Sequence, residues 1–214
     1  MSDRRLTPEL LLSAYANGIF PMAETRDSQE LFWVDPRSRG VLPLNAFHVS
    51  RSLKRRMSKG CYTATLNHNL GAVLDGCSDR EDTWINDTIR RLIGALFDQG
   101  HAHTLEVWKE NRLIGGVYGI ALGGAFFGES MFSKDVDGSK IALTWLVDHL
   151  RRTGFTLFDT QFITPHLASL GAVEIPRDQY RAKLAQALAV PVSFHAQPLE
   201  TNVQAVLQRM THTS

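Results

Sequence analysis

Between His101 and Gln161 the chain switches from a period of two to a period near four and back, and this alternation restricts the fold more than any other feature. "HTLEVWKE" alternates as a strand, "EN" turns the chain, "RLIGGVYGIAL" continues it, and "AFFGES" follows a second turn at "GG". A helix comes next: Ser139 can cap it, Ile141, Leu143, Trp145, Leu146 and Leu150 recur at helical spacing, and Gly154 stands just past its end. "TLFDTQF" is again strand-like. In "TPHLASLG", Thr164 is in the N-cap place, Pro165 at the first helical position and Gly171 just past the end. A short strand "AVEI" and a final helix carrying Tyr180, Leu184 and Leu188 complete the series. This order predicts an α+β fold, a mixed sheet covered by helices.

The first hundred residues divide into two textures. Thr7 and Pro8 announce a helix from Pro8 to Asn17, closed by Gly18. Turn residues, two X-Pro steps and a strand-like piece at Leu31 to Val34 follow. We read residues 1–46 as a small N-terminal domain and 47–214 as the main domain, within which "VSRSLKRRMSKG", "NLGAVLDGC" and "INDTIRRLIGALFDQG" are helices. A length of 214 residues suits one domain with a small appendage. The formal net charge of +1 excludes a wholly basic nucleic-acid coat, so any such surface must be local. Arg51, Lys54, Arg55, Arg56 and Lys59 form the one candidate, a basic helix face that no acidic residue interrupts.

Cys61 and Cys77 have neither a Cys/His ligand spacing nor a disulfide pattern, which points to reduced thiols in the cytoplasm and no metal. His101 and His103 lack a third ligand at matching spacing. No run approaches the roughly eighteen apolar residues of a membrane span, and no signal peptide is evident.

Asp159 and Gln161 stand two apart in an apolar strand, on one face with Leu157, while Phe158, Thr160 and Phe162 share the other. A buried carboxylate is costly unless it is paired or used. Two readings stay open: Asp159 is satisfied by backbone N–H groups at a strand end, or it orients the Gln161 amide toward a reacting group. Glu129 in "FFGESMFS" can be solvated or can bind a cation in a cleft. Ser130 with His166 and Asp159 suggests a hydrolase, but "GES" lacks the G-x-S-x-G elbow. Trp84 can pack or can stack on a base.

"AYANGIFPM", "DPRSRGVLPL", "DTWI", "GHAHTLEVW", "GGVYG", "FGESMFS", "DTQFITPHLASLGA" and "EIPRDQY" resemble, in the same order, the leucyl/phenylalanyl-tRNA-protein transferase family. The resemblance runs from about Leu11 to Tyr180. It implies a small N-terminal domain followed by a GNAT-like acyltransferase domain. It also implies a cytoplasmic, cofactor-free monomer that moves leucine or phenylalanine from aminoacyl-tRNA to proteins beginning with Arg or Lys, an N-end rule degradation signal. By the same resemblance Asp159 polarises Gln161, which positions the amine, and Glu129 attracts the cationic N-terminus. Val117, Phe126 and Phe158 line the pocket for the transferred side chain, and Trp84 stacks near the terminal adenosine. Met22 replaces the tryptophan of the family's G-I-F-P-W, with Tyr15, Phe32 or Trp33 as alternative walls. Thr164 replaces an asparagine, and the chain begins late relative to a family N-terminal extension. Two rival readings remain. One is a coenzyme A-dependent N-acetyltransferase, for which "KDVDGSK" is a poor pyrophosphate loop; the other is a non-catalytic RNA-binding module.

Overall fold

A computed structural model describes residues 6–23, 25, 28, 31–80 and 83–211. Helix α1 (Pro8–Ala16) starts where Thr7 Oγ1 accepts the Leu10 N–H at 3.2 Å and ends at Ala16, one residue before the expected end, with Asn17 as its cap and Gly18 turning left-handed at φ +75°. Strands β1 (Phe20–Met22) and β2 (Phe32–Val34) form a separate two-stranded ribbon. Strand β3 (Ser38–Val41) comes next, then helix α2 (Arg51–Lys59), capped by Ser50. Strand β4 (Tyr62–Leu66) and helices α3 (Leu70–Ser78) and α4 (Asp87–Asp98) lead to the hairpin.

The hairpin is β5 (Ala102–Lys109) and β6 (Arg112–Leu122), with Glu110 and Asn111 both at positive φ in the turn, as the expected two-residue loop requires. Strand β7 (Ala125–Ser133), helix α5 (Gly138–Thr153) and strand β8 (Leu157–Gln161) then form a parallel crossover. Helix α6 (Pro165–Ala168), strand β9 (Val173–Pro176), helix α7 (Arg177–Leu188) and helix α8 (Val203–Thr211) complete the chain. The seven-stranded sheet runs β4-β5-β6-β7-β8-β3-β9, with β7 and β8 the parallel neighbours. Strand β3 lies inside this sheet, between β8 and β9, although residues 38–41 belong by sequence to the N-terminal segment.

Alternate strand residues feed two cores. Phe126 and Phe158 join Leu143, Trp145 and Leu146 of α5, whereas Phe127 and Leu157 join Tyr15 of α1, Ile89 of α4 and Tyr180 of α7. The crossover helix α5 is enclosed on most of its surface, with 13 of its 16 residues buried.

Two expectations are corrected. Ser139 does not cap α5: Asp137, at φ +65°, occupies that place without a side-chain cap, and the Ser139 N–H donates to Ser133 Oγ at 3.0 Å. Nor is α7 the last helix. Asn202 Oδ1 accepts from Gln204 N at 2.9 Å to start α8, whose Val206, Leu207 and Met210 cover α5. Arg209 then clamps Asp148 through two hydrogen bonds of 2.6 and 2.8 Å.

Candidate active site

The parallel strands β7 and β8 are paired from Ala125/Leu157 to Phe127/Asp159. Beyond that point a pocket of about 70 Å³ lies between them, lined by Val117, Gly128, Glu129, Ser130, Met131, Leu143, Phe158, Thr160 and Leu167. In the pairing with β6, Gly119 faces Gly128 and Tyr118 faces Ser130, so Glu129 is an extra, bulged residue of β7. Gly128 is needed there, since a Cβ would stand 2.7 Å from the Phe158 ring. The wall is apolar except at Glu129, Ser130 and Thr160, whose buried Oγ1 has no hydrogen-bond partner among the described residues.

At this pocket three candidate residues from distant parts of the sequence converge. Glu129 Oε1 accepts the Tyr15 phenol at 2.8 Å and the Gln161 Nε2 amide at 2.9 Å. Burial pushes the Glu129 carboxyl up to about 8, with nearby Asp159 adding to the shift, against the opposing effects of the two donors and Arg39. Burial, and then Glu129 itself, push the Tyr15 phenol well above its ordinary value, so Tyr15 remains a donor. Glu129 therefore favours its neutral form at pH 7.

Asp159 and Gln161 do not interact as expected. The Asp159 carboxylate does not touch the Gln161 side chain: Oδ1 accepts the Gln161 backbone N–H at 2.8 Å, and the amide turns to Glu129 instead. Gln161 lies at φ +63°, which ends the strand alternation that put both side chains on one face. Asp159 is wholly buried and paired with Arg39, with an Nη2–Oδ2 distance of 2.7 Å; Tyr180 also donates to Oδ2, at 2.7 Å. Neither Arg39 nor Tyr180 was singled out from sequence. A buried arginine has no local signature, and only pairing of β3 with β8 brings it to Asp159.

Val117 and Phe158 line the pocket, while Phe126 stands behind it, 1% exposed and edge-on to Phe158 at 5.4 Å. Met22 and Trp84 are half-buried against the second core, which also holds Tyr15. Phe32, opposite Met22 in the ribbon, and Trp33 are exposed. Thr164 is exposed, and its hydroxyl caps α6 by accepting the Leu167 N–H at 3.2 Å. The cations of α2 lie apart from this cluster, on a helix whose Leu53 and Met57 pack into the first core. Arg51, Lys54, Arg55 and Lys59 are exposed and make no ion pair among the described residues. Arg56 is the exception, held by Asp137 at 2.8 Å.

The hydrolase arrangement is not assembled: Ser130 Oγ accepts from Arg80 at 3.0 Å, His166 lies beside Ser139, and Asp159 is enclosed by Arg39 and Tyr180. The "KDVDGSK" loop sets the Asp137 carboxylate at the start of α5, unfavourably for a pyrophosphate. No helix among the described residues is long and apolar enough to cross a membrane.

The fold and the pocket define a class first. The architecture matches the solved structure of FemX with a TM-score of 0.53 at 11% identity, over 78% of this chain and 66% of that one, a likeness of fold. Sequence then assigns the family. The leucyl/phenylalanyl-tRNA protein transferase model matches residues 41–185 and its N-terminal domain model matches residues 4–37. The protein is 60% identical over 209 residues to the leucyl/phenylalanyl-tRNA–protein transferase of Ruegeria pomeroyi, covering 98% of this chain and 99% of that protein. It is 56% identical to that of Cereibacter sphaeroides over 214 residues, the full length of both. The chain belongs to the leucyl/phenylalanyl-tRNA protein transferase family.

Proposed function

We propose that this protein transfers leucine or phenylalanine from aminoacyl-tRNA to the α-amino group of proteins whose first residue is Arg or Lys. The observation that carries the reading is Glu129, bonded by Tyr15 and Gln161, on the wall of a largely apolar pocket. An apolar pocket walled by Val117, Leu143 and Phe158 accepts Leu and Phe side chains alike and leaves polar ones without partners.

The acceptor amine forms a bond to the ester carbonyl carbon, the tetrahedral oxyanion collapses, and the 3′-oxygen of the terminal adenosine leaves with the proton that the amine gives up. Because Gln161 Nε2 is committed to Glu129, its side-chain carbonyl is the group that accepts an N–H of the attacking amine and orients it. Glu129 attracts the cationic first residue, whose charge draws the carboxyl to its ionised form. Asp159 acts on Gln161 through the backbone. Trp84 and Met22 form the adenosine side, with Thr164 near the acyl end, and the α2 cations Arg51, Lys54, Arg55 and Lys59 contact tRNA phosphates. The same reading includes a cytoplasmic monomer marking proteins for N-end rule degradation. Its small N-terminal domain, residues 1–46, lends β3 to the sheet of the catalytic domain, 47–214.

The test is transfer of labelled leucine and phenylalanine from charged tRNA to peptides beginning with Arg, Lys, Asp or Ala, beside an acetyl-coenzyme A control. Labelling of the Arg and Lys peptides alone is expected. Labelling of Asp peptides, or acetylation, would refute the assignment of Glu129 or of the reaction.

A further inference from the structure

We propose that Arg39 is a positioning residue for the transfer reaction: through Asp159 it holds the backbone of Gln161, and so aims the Gln161 amide at Glu129. The proposal rests on the reading of Gln161 given above.

Arg39 is 1% exposed, and each of its three guanidinium nitrogens donates a hydrogen bond. Nε donates to Asp159 Oδ1 at 2.9 Å, Nη2 to Oδ2 at 2.7 Å and Nη1 to the Gly18 carbonyl at 2.9 Å. The Phe20 and Tyr180 rings both lie 4.5 Å from its Cζ, so the planar group is held by two aromatics. Gly18 has no side chain to interfere: a Cβ there would lie 2.9 Å from the Tyr180 ring. The Tyr180 hydroxyl also donates to Oδ2, so both carboxylate oxygens are held by buried donors.

The fixed Oδ1 is what the Gln161 N–H finds, two residues on, at 2.8 Å. This local bond offers the backbone an alternative to continuing the strand, and Gln161 takes it by adopting φ +63°. A glutamine in that region needs an imposed restraint. Extended backbone at residue 161 would follow the strand alternation; the left-handed turn sends Nε2 to Glu129.

Stability does not account for this arrangement. A buried ion pair is often no better for stability than apolar residues of equal volume. What ties the pair to the site is that its carboxylate accepts the Gln161 backbone N–H.

The experiment is a double-mutant cycle on kcat and KM for Leu-tRNA with an Arg peptide. Arg39→Gln, Arg39→Lys and Tyr180→Phe are each made alone and combined with Gln161→Ala, and each variant is checked for folding by circular dichroism and thermal melting. Arg39→Gln is expected to lower kcat about 10- to 100-fold through misplacement of the amide, with KM for Leu-tRNA within about twofold. Arg39→Lys keeps the charge but not the fork and should recover only part of the loss. In the Gln161→Ala background, Arg39→Gln should change kcat by less than about twofold. Equal losses in both backgrounds would overturn the proposal, because Arg39 would then act independently of Gln161. Full activity of Gln161→Ala alone would overturn the site reading itself. Should Arg39→Gln fail to fold, Tyr180→Phe carries the same test, since it removes only the hydroxyl on Oδ2.

Discussion

Replacing Glu129 by glutamine should make the unliganded protein more stable and less active, and the stability gain should depend on pH. The Glu129 carboxyl titrates near 8 in the folded protein rather than near 4.5. Between those values the folded state holds a proton that the unfolded state has lost, so stability falls as pH rises through the window, and the full loss is present above 8. A displacement of that size corresponds to at most about 5 kcal/mol. Water reaching the pocket screens the charge and leaves on the order of 2 kcal/mol. Glutamine retains the oxygen that Tyr15 and Gln161 bind, but it never ionises. For a chain of this size, 2 kcal/mol is roughly 4–8 °C in Tm. Thermal unfolding of both proteins at pH 4.5 and at pH 9 measures it. The Tm difference should be small at the first pH and reach that range at the second. A difference that does not grow with pH would mean that Glu129 is not a destabilised carboxyl. In the same variant kcat/KM for Arg peptides should fall about 10- to 100-fold, the value of a hydrogen bond to a charged partner.

Asp159→Ala leaves the Arg39 guanidinium buried without its counter-ion and should destabilise the protein by about 3–5 kcal/mol in chemical denaturation, in addition to reducing transfer. Neutralising Arg51, Lys54, Arg55 and Lys59 together should reduce the slope of log affinity for tRNA against log salt by about three to four, whereas Arg56→Ala, already paired with Asp137, should change it by less than one. Tyr15→Phe should shift the pH dependence of KM for Arg peptides upward by about one to two pH units, as loss of a donor to the carboxylate requires. Gly128→Ala sets a methyl against the Phe158 ring; it should cost about 1–3 kcal/mol of stability and reduce transfer of phenylalanine more than of leucine, read as the ratio of the two kcat/KM values.

The elements whose ends are determined by neighbours in sequence were legible before any coordinates. Thr7 with Pro8 and Thr164 with Pro165 start helices where they were expected to, because N-capping is a bond between residues three apart. The β5–β6 turn at Glu110 and Asn111 is local in the same sense. Helix α8 has local signals of the same kind, in Asn202 and the spacing of Val203, Val206, Leu207 and Met210. Residues Glu129, Asp159 and Gln161 were identified by resemblance, yet their connections were not. Period-two alternation places the Asp159 and Gln161 side chains together, and it fails at Gln161, where φ turns positive. The amide goes to Glu129 because β7 and β8 part beyond Asp159, and the carboxylate goes to Arg39 because β3, 120 residues earlier, is inserted beside β8. Short-range hydrogen bonds and periodicity can be read from a chain alone. Which buried charge meets which partner depends on strand order, and strand order exists only once the sheet has formed.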